Sequence, residues 1–458
     1  MMPRPSSIFA ALVCVGATVI FLLPPPQGMT VTAMHAAALL VFTVGLWASG
    51  TLPEHITGFL FFLLAMVLAV APPAIVFSGF ASATLWLVLG GLILAQAVYR
   101  TGLAQRIAGA LFDRYTRSYR QLVAAIVIVS IVLAFFMPAT VGRVLLLMPI
   151  LAAVAQRAGF ERGSTGYNGI CLAAIMTTYQ CGTAILPANA PNLVLAGTAE
   201  TLYGVQLIYA EYLWVQFPVM GILKGLAIIA FVCWLFRAEV RPAAAPHETP
   251  PLTPEQQRMA VILIVAVSLW ATDFLHGIKA GWIALAAGTA CFMPRIGVMP
   301  FRAFNSVNFG PYFYVGATLG LGLTVQQSGL SEAIGTTLEG VLPLTAGADF
   351  GNFVTLSLLA TFTGLFTTNP SQPAVLAPLA EHFAQVTGWP LKATLMTMAV
   401  GFTTMILPYQ VPPVVVGMQV AGISLATMLR LSLPMVAFSI VVLLPLDYLW
   451  WRLIGYIG

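Results

Sequence analysis

Charged side chains are scarce in this chain. Only 7% of its 458 residues are Asp, Glu, Lys or Arg, where a soluble protein carries about 25%. That scarcity excludes a soluble domain of useful size. Cysteine is sparse as well. Cys14, Cys171, Cys181, Cys233 and Cys291 are scattered through apolar segments and form neither a disulfide framework nor a metal-ligand spacing. A His-x-Glu metal pattern, paired catalytic acids, a Ser-His-Asp order and phosphate-cradling glycine loops are absent too. An intramembrane enzyme would need such a convergent acid, base or metal set at depth, so no enzyme is expected. The net charge of +5 is no sign of nucleic acid, because the basic residues sort by loop.

What the chain does have is apolar length. Hydrophobic residues make up 60% of it, mean hydropathy is +0.95, and several runs approach the roughly 20 residues that cross a bilayer. The pattern predicts an all-α polytopic protein of the cytoplasmic (inner) membrane. Spans are expected at 8–24, 31–49, 54–71, 83–100, 166–186 continuing past Pro191, 212–236, 259–275, 280–294, 309–328, 390–407 continuing past Pro412, and 429–451. The opening "MMPRPSSIFAALVCVGATVIFLL" lacks a clear small-residue cleavage site, so residues 1–30 are read as the first transmembrane helix. These are about 11 transmembrane helices.

Two further regions, 121–157 and 351–382, are apolar with a polar or proline break at the centre: "FMPATVGR" and "TTNPSQP". Arms of about 15 residues make about 22 Å of helix, short of a hydrocarbon core of roughly 30 Å. Two re-entrant hairpins are therefore expected. Loop charge agrees with this topology. With a cytoplasmic N-terminus, Arg4, the arginines from Arg100 to Arg120, Arg157, Arg162, Arg237, Arg241, Arg258, Arg295, Arg302 and Arg430 lie inside. Lys279, Lys392 and Arg452 lie outside, as the positive-inside rule requires.

The Pro-rich stretch 237–258 reads as a cytoplasmic linker between two halves, 31–236 and 259–458. The halves repeat. "GGLILAQAVYRTGLAQRIA" parallels "TLGLGLTVQQSGLSEAIG", "ATVGRVLLLMP" parallels "TNPSQPAVLAP", and "LPANAPN" parallels "PYQVPPV". Gly102 falls on Gly329, Pro149 on Pro378, Pro191 on Pro413 and Trp47 on Trp270. All are offset by roughly 225 residues, and the loop charges run the two copies in opposite directions. Inverted repeats with broken helices are the architecture of secondary transporters, with the site at mid-depth.

Irregular backbone survives at membrane depth only when buried in protein or facing water. At such breaks helix N-termini suit an anion, and freed carbonyls suit a small cation. The polar tip Thr367, Thr368, Asn369 is tolerable if it faces a ligand cavity. The alternative for each break is a plain proline kink. Arg143 and Lys224 complete the cations and fall at depth. Arg143, three residues past the first tip, either meets an anionic substrate, fills the place of a cation, snorkels, or pairs within the protein. A mid-span Lys costs roughly 2.5–3.5 kcal/mol on insertion scales, so Lys224 is a second site or a structural partner. Gln410 and Tyr409 are candidate donors to substrate or helix-to-helix glue. Asp273 and His276 read as a polar outer turn with a helix cap.

At these residues the chain resembles the divalent anion/sodium symporter family of the ion transporter superfamily, which includes sodium/sulfate and sodium/dicarboxylate transporters. The likeness runs from about Trp47 to Leu444 and is carried by "LVLGGLILAQAVYRTGLAQRIA", "WATDFLHGIKAGWIALAAG", the two hairpins, "CGTAILPANAPNLVLAG" and "ILPYQVPPVVVG". It implies an elevator: a transport domain of hairpins and broken helices sliding against a scaffold that forms a homodimer. The family's hairpin tips typically read Ser-Asn-Thr. Here the matching residues are Ala139, Thr140 and Val141, then Thr368, Asn369 and Pro370. Gly-Thr before Pro-Pro-Asn becomes Ala188 and Asn189, with Pro191 and Asn192 retained. Pro412 and Pro413 are kept, with Val414 where Asn is usual.

The polar residues at the breaks, read together with the resemblance, give a candidate substrate site at Thr140, Arg143, Asn189, Asn192, Thr367, Thr368, Asn369, Gln410 and Pro412. The resemblance implies sodium as coupling ion at Thr368 and Asn369, weakened in the first half. The expectation is a secondary transporter of a small divalent anion, dicarboxylate or sulfate-like. The alternatives are an anion exchanger, a proton-coupled carrier or an anion channel.

Overall fold

The computed structural model describes residues 5–26, 28–114, 118–137, 139–240 and 251–457. Every regular element among them is helical. Polar residues set the helix starts: Thr30, Ser82, Ser118, Ser164, Thr253 and Ser424 each accept a backbone N–H of the first turn with the side chain, satisfying a donor that hydrocarbon could not. Left-handed glycines stop several helices, among them Gly50, Gly102, Gly204 and Gly422.

Most expected spans lie on helices: Pro5–Leu22, Val31–Ser49, Glu54–Val67, Ala83–Thr101, Thr165–Gln180, Pro254–Ala271, Ala280–Ala290, Gly310–Gln327 and Leu391–Phe402. Two long helices, Tyr209–Leu235 and Leu425–Leu453, each change to π-helical winding midway, at Phe217–Leu223 and Ser439–Leu443. Seven helices among the described residues are long and apolar enough to cross a bilayer. Large apolar side chains such as Leu12, Val67, Trp214, Leu226, Val441 and Leu453 face outward, which suits lipid contact.

The two interrupted regions differ from expectation in length. The first is Tyr119–Phe136 followed by Thr140–Arg157, each 18 residues, or about 27 Å. The Ser118 cap starts the pair two residues before the expected 121. The second begins with Asp349–Phe366, again 18 residues. Its return is broken into Gln372–Leu376, a 3-10 turn at Ala377–Leu379 and Ala380–Thr387, so it runs past the expected 382. Pro373 and Pro378, which lack the N–H that continues a helix, lie in these fragments. The 237–258 linker also ends early. Thr253 and Gln256 form a capping box and Pro254–Ala271 is already helical. Residues 241–250 of that linker, with Arg4 and Arg117, lie outside the described residues.

Paired sequence positions carry the same local geometry. Gly102 and Gly329 are both left-handed and separate a long helix from a short one. Trp47 donates its indole N–H to Glu54 O at 3.0 Å, and Trp270 donates to Ala280 O at 3.1 Å; the acceptors are the first residues of helices Glu54–Val67 and Ala280–Ala290. Helices Ala83–Thr101 and Ala280–Ala290 pack backbone to backbone. A Cβ on Gly281 would sit 2.0 Å from Ala83 O, and one on Gly90 would sit 2.3 Å from the carbonyl carbon of Ala284. Small residues permit such close approach between membrane helices. At the outer turn, Asp273 accepts from the backbone N–H of Tyr209 at 2.7 Å, capping that helix from another segment. Lys279 pairs with Glu200 at 2.8 Å, and Lys392 pairs with Glu211.

Candidate functional site

The first break is built around Arg143, which is fully buried and does not snorkel. Its guanidinium donates to five oxygens. They are Met137 O at 2.8 Å, Thr178 O and Ala188 O at 3.0 Å, Asn189 Oδ1 at 3.0 Å and Thr140 Oγ1 at 3.4 Å. Three of these are main-chain carbonyls freed where helices stop. A set of carbonyl, carboxamide and hydroxyl oxygens is what a small cation would need; here a guanidinium fills it. Arginine suits the place because its planar fork offers five N–H groups in fixed directions.

Around it runs Thr165–Gln180, two 3-10 turns at Gly182–Ala184 and Leu186–Ala188, then Ala190–Tyr203. Pro191 opens that last helix, and Asn189 precedes it without capping it. Asn189 instead gives Nδ2 to Tyr179 O at 2.9 Å, while its Oδ1 takes Thr140 and Arg143. Asn192 donates to Thr183 O and Ile185 O at 3.0 and 2.8 Å. Helix Thr140–Arg157 starts without a side-chain cap. Its first N–H groups and partial positive charge therefore face the break.

The second break centres on Asn369. Its backbone N–H donates to Gln410 O at 2.8 Å. Its carboxamide donates to Tyr179 Oη at 2.8 Å and Phe402 O at 2.9 Å. Thr368 pairs with Ser371, hydroxyl to hydroxyl at 2.8 Å, and Thr367 turns back to Thr363 O at 3.0 Å. Gln410 bonds within the protein, the second of its two expected roles. Its Oε1 accepts from both Ile406 N and Leu407 N at 2.7 Å, and its Nε2 points at Asn369 Oδ1, 3.4 Å away. It braces its own break. Pro412 opens helix Pro412–Ala421, and Tyr409 bonds to Leu365 O at 2.6 Å.

Tyr179 joins the two breaks. Its carbonyl takes Asn189 from the first; its hydroxyl takes Asn369 and donates to Phe402 O at 2.8 Å in the second. Arg143, Asn189, Tyr179, Asn369 and Gln410 thus form one buried chain of contacts across the two halves. The sodium:sulfate symporter transmembrane-region model matches residues 6–457. The chain belongs to that family.

Relatives of this symporter-family chain extend over most of its length. A "membrane protein" of Cupriavidus necator is 23% identical over 98% of this chain and 93% of its own. The sodium-dependent dicarboxylate transporter SdcS of Staphylococcus saprophyticus is 21% identical over 93% of this chain and 88% of its own. Among solved structures, the YdaH transporter of Alcanivorax borkumensis aligns with a TM-score of 0.57 at 14% identity, covering 99% of both chains. At that identity the likeness concerns the fold. The family is one of symporters and SdcS is named a transporter, and this is a multi-pass membrane transporter rather than an enzyme.

Several buried polar atoms around the symporter-family breaks have no hydrogen-bond partner. They include Gln372 Oε1 and Nε2, Tyr314 Oη, Gln180 Oε1, Asn192 Oδ1 and Arg143 Nε. Unpaired polar groups of this kind cost about 1–3 kcal/mol each and point to a ligand or to water. Gln372 stands in the polar centre of "TTNPSQP" and was visible there. Tyr179 stands among Thr177, Thr178 and Gln180, and Tyr314 in the aromatic run Tyr312 to Tyr314; in neither does the sequence say which way the ring points.

Proposed function

We propose that this chain is a secondary active transporter of a small divalent anion, a dicarboxylate or sulfate, across the cytoplasmic membrane. The observation that carries the reading is the continuous buried chain of contacts from Arg143 through Tyr179 to Asn369. It couples two helix breaks that each supply oxyanion donors. Thr140, Asn189 and Asn192 line the first half-site; Thr367, Thr368 and Asn369, with Pro412 opening the helix behind them, line the second. The names of the relatives agree: sodium-dependent dicarboxylate transporter and putative malate transporter. These side chains are buried, so substrate reaches them only after a rearrangement, as alternating access requires.

In this reading the breaks and helix pairs form re-entrant hairpins of two inverted repeats, 31–236 and 259–458. They move as one body against a scaffold in a homodimer. The paired tryptophans and left-handed glycines support the repeat, and the backbone-close pair Ala83–Thr101 with Ala280–Ala290 supports a rigid scaffold. Sodium binds at Thr368 and Asn369 in the second half. In the first half Arg143 holds the oxygen cage and supplies fixed positive charge to the dianion.

That fixed charge favours a second reading, exchange. A carrier with a permanent cation at depth returns more readily with an anion bound. Reconstituted vesicles separate these outcomes. Uptake of labelled succinate and sulfate is expected to saturate and to show counterflow; linear flux without counterflow would make the protein a channel. Across a sodium series with choline as replacement, at most one sodium per cycle is expected. Steep dependence on more than one sodium, unchanged in Arg143→Gln, would overturn the assignment of Arg143.

A further inference from the structure

The site just described leaves two buried charges unused. Lys224 and Asp447 are both fully buried, one in each of the two long helices, and each follows a π-helical segment. The repeat offset that brings Trp47 onto Trp270 also brings Lys224 onto Asp447 in sequence. The two π segments pack against each other. π-Helical turns within α-helices occur frequently at functional sites, and ionisable residues at membrane depth mark ion and proton pathways.

Their partners are unequal. Lys224 Nζ donates to Thr403 O at 2.9 Å and Thr403 Oγ1 at 2.7 Å. Neither carboxyl oxygen of Asp447 has a hydrogen-bond partner, and the pair makes no ion pair in this conformation, although each feels the other's charge. Thr403 matters because of its position. It ends helix Leu391–Phe402 and opens the second break, directly after Phe402, whose carbonyl takes Asn369 and Tyr179. Lys224 therefore holds one edge of the anion site.

We propose that Lys224 and Asp447 form a proton site whose occupancy is coupled to anion binding. The proposal rests on the anion-carrier reading. In the arrangement observed, Asp447 carries the proton. A bare carboxylate at depth without a donor or a contacting cation would bear a desolvation cost of several kcal/mol. Lys224, as the ammonium, is then free to hold Thr403. Loss of the Asp447 proton to water leaves a carboxylate that draws Lys224 into an ion pair and away from Thr403, loosening the break beside Asn369. The loaded state has one more positive charge than the unloaded state. With Arg143 it provides two positive charges for a dianion, one fixed and one titratable.

Neighbouring titratable groups are engaged elsewhere or remote. Cys181 Sγ packs beside Gly225, the residue next to Lys224. On the helices packed around them, Glu211 is held by Lys392 and Asp349 accepts from Trp389. Arg430 donates to Leu235 O, and Tyr179 is committed to the breaks. Cys171, Tyr119 and Arg120 lie along helices Thr165–Gln180 and Tyr119–Phe136.

The test is sulfate binding by the purified full chain between about pH 6 and pH 9, where sulfate stays a dianion, with succinate as second probe. Proton-linked binding weakens affinity about tenfold per pH unit above the midpoint of the pair. Asp447→Asn is expected to bind at every pH as wild type does at low pH. Lys224→Met, which leaves Asp447 protonated throughout, is expected to give a flat profile and serves if the first variant misfolds. A flat profile in wild type, or the wild-type slope retained in both variants, would overturn the proposal. If neither anion binds, the carrier reading fails and infrared spectroscopy decides the proton site by itself. A protonated-carboxyl band near neutral pH that is lost in Asp447→Asn supports it, and a wild-type spectrum without that band overturns it.

Discussion

A single tyrosine does most of the joining between the two half-sites. Tyr179 Oη accepts from Asn369 and donates to Phe402 O within hydrogen-bond distance of both. Tyr179→Phe removes the hydroxyl and keeps the ring. Asn369 retains Phe402 O, so the fold is expected to hold, while one donor of the Asn369 carboxamide loses its acceptor at a cost of about 1–3 kcal/mol. Binding of succinate or sulfate should weaken about tenfold or more, since 1.4 kcal/mol is a factor of ten. Isothermal titration on monodisperse protein checks this; wild-type affinity would detach Tyr179 from the site. Asn369→Ala goes further, removing contacts to Tyr179, Phe402 and Gln410 together. It should reduce uptake by at least an order of magnitude with normal expression and elution. Unimpaired uptake would remove Asn369 from the substrate site.

At the scale of elements, much was legible. The apolar run 31–49 is the helix Val31–Ser49, and 83–100 is Ala83–Thr101, because caps and glycines bound runs whose interior has nothing else to be. The interrupted regions were read short for a physical reason. Ser118 caps a helix whose first turn, Tyr119 to Leu122, is half polar, and a hydropathy pattern begins counting too late. The site was half legible. Arg143, Asn189 and Asn369 come together as polar residues at breaks should, but which face of an apolar helix carries Tyr179 or Tyr314 is decided by packing alone. Gln410 was open to two readings because a carboxamide can serve its own backbone as readily as a ligand, and here its Oε1 accepts from Ile406 N and Leu407 N. Packing also yields a prediction for the helix pair Ala83–Thr101 and Ala280–Ala290. In Gly281→Ala the new Cβ meets Ala83 O at 2.0 Å. The obstacle is backbone, which cannot rotate aside, and overpacking of this kind costs about 1–3 kcal/mol. A fall in the melting temperature in detergent is expected, larger than for Gly16→Ala, whose Cβ meets nothing within 4 Å. Equal melting temperatures would mean that the two helices separate readily.

At the scale of the whole molecule, the proposed function turns on an opposite orientation of the two halves. Cations sort by loop: arginines fill the loops assigned to the cytoplasm, while Lys279 and Lys392, assigned outside, each pair with a glutamate. The positive-inside rule counts Lys and Arg rather than net charge, so it is the small number of outer cations, not their pairing, that agrees with it. In the proposed topology the two helix pairs enter from opposite faces, Tyr119–Phe136 from the cytoplasm and Asp349–Phe366 from outside. Gln121 and Ala346 are exposed and lie at the entry ends of these pairs. In a background with the natural cysteines replaced by serine or alanine, Gln121→Cys is expected to react with an impermeant maleimide only from the cytoplasmic side. Ala346→Cys should react only from the outer side. Both substitutions fall on solvated positions away from the breaks, so transport should survive and certify the fold in the same preparation. Reaction of both from one face would place the halves in parallel. The two breaks could not then meet at mid-depth as half-sites related by a two-fold axis in the membrane plane, and the contacts through Tyr179 would have to be explained as packing within a single bundle.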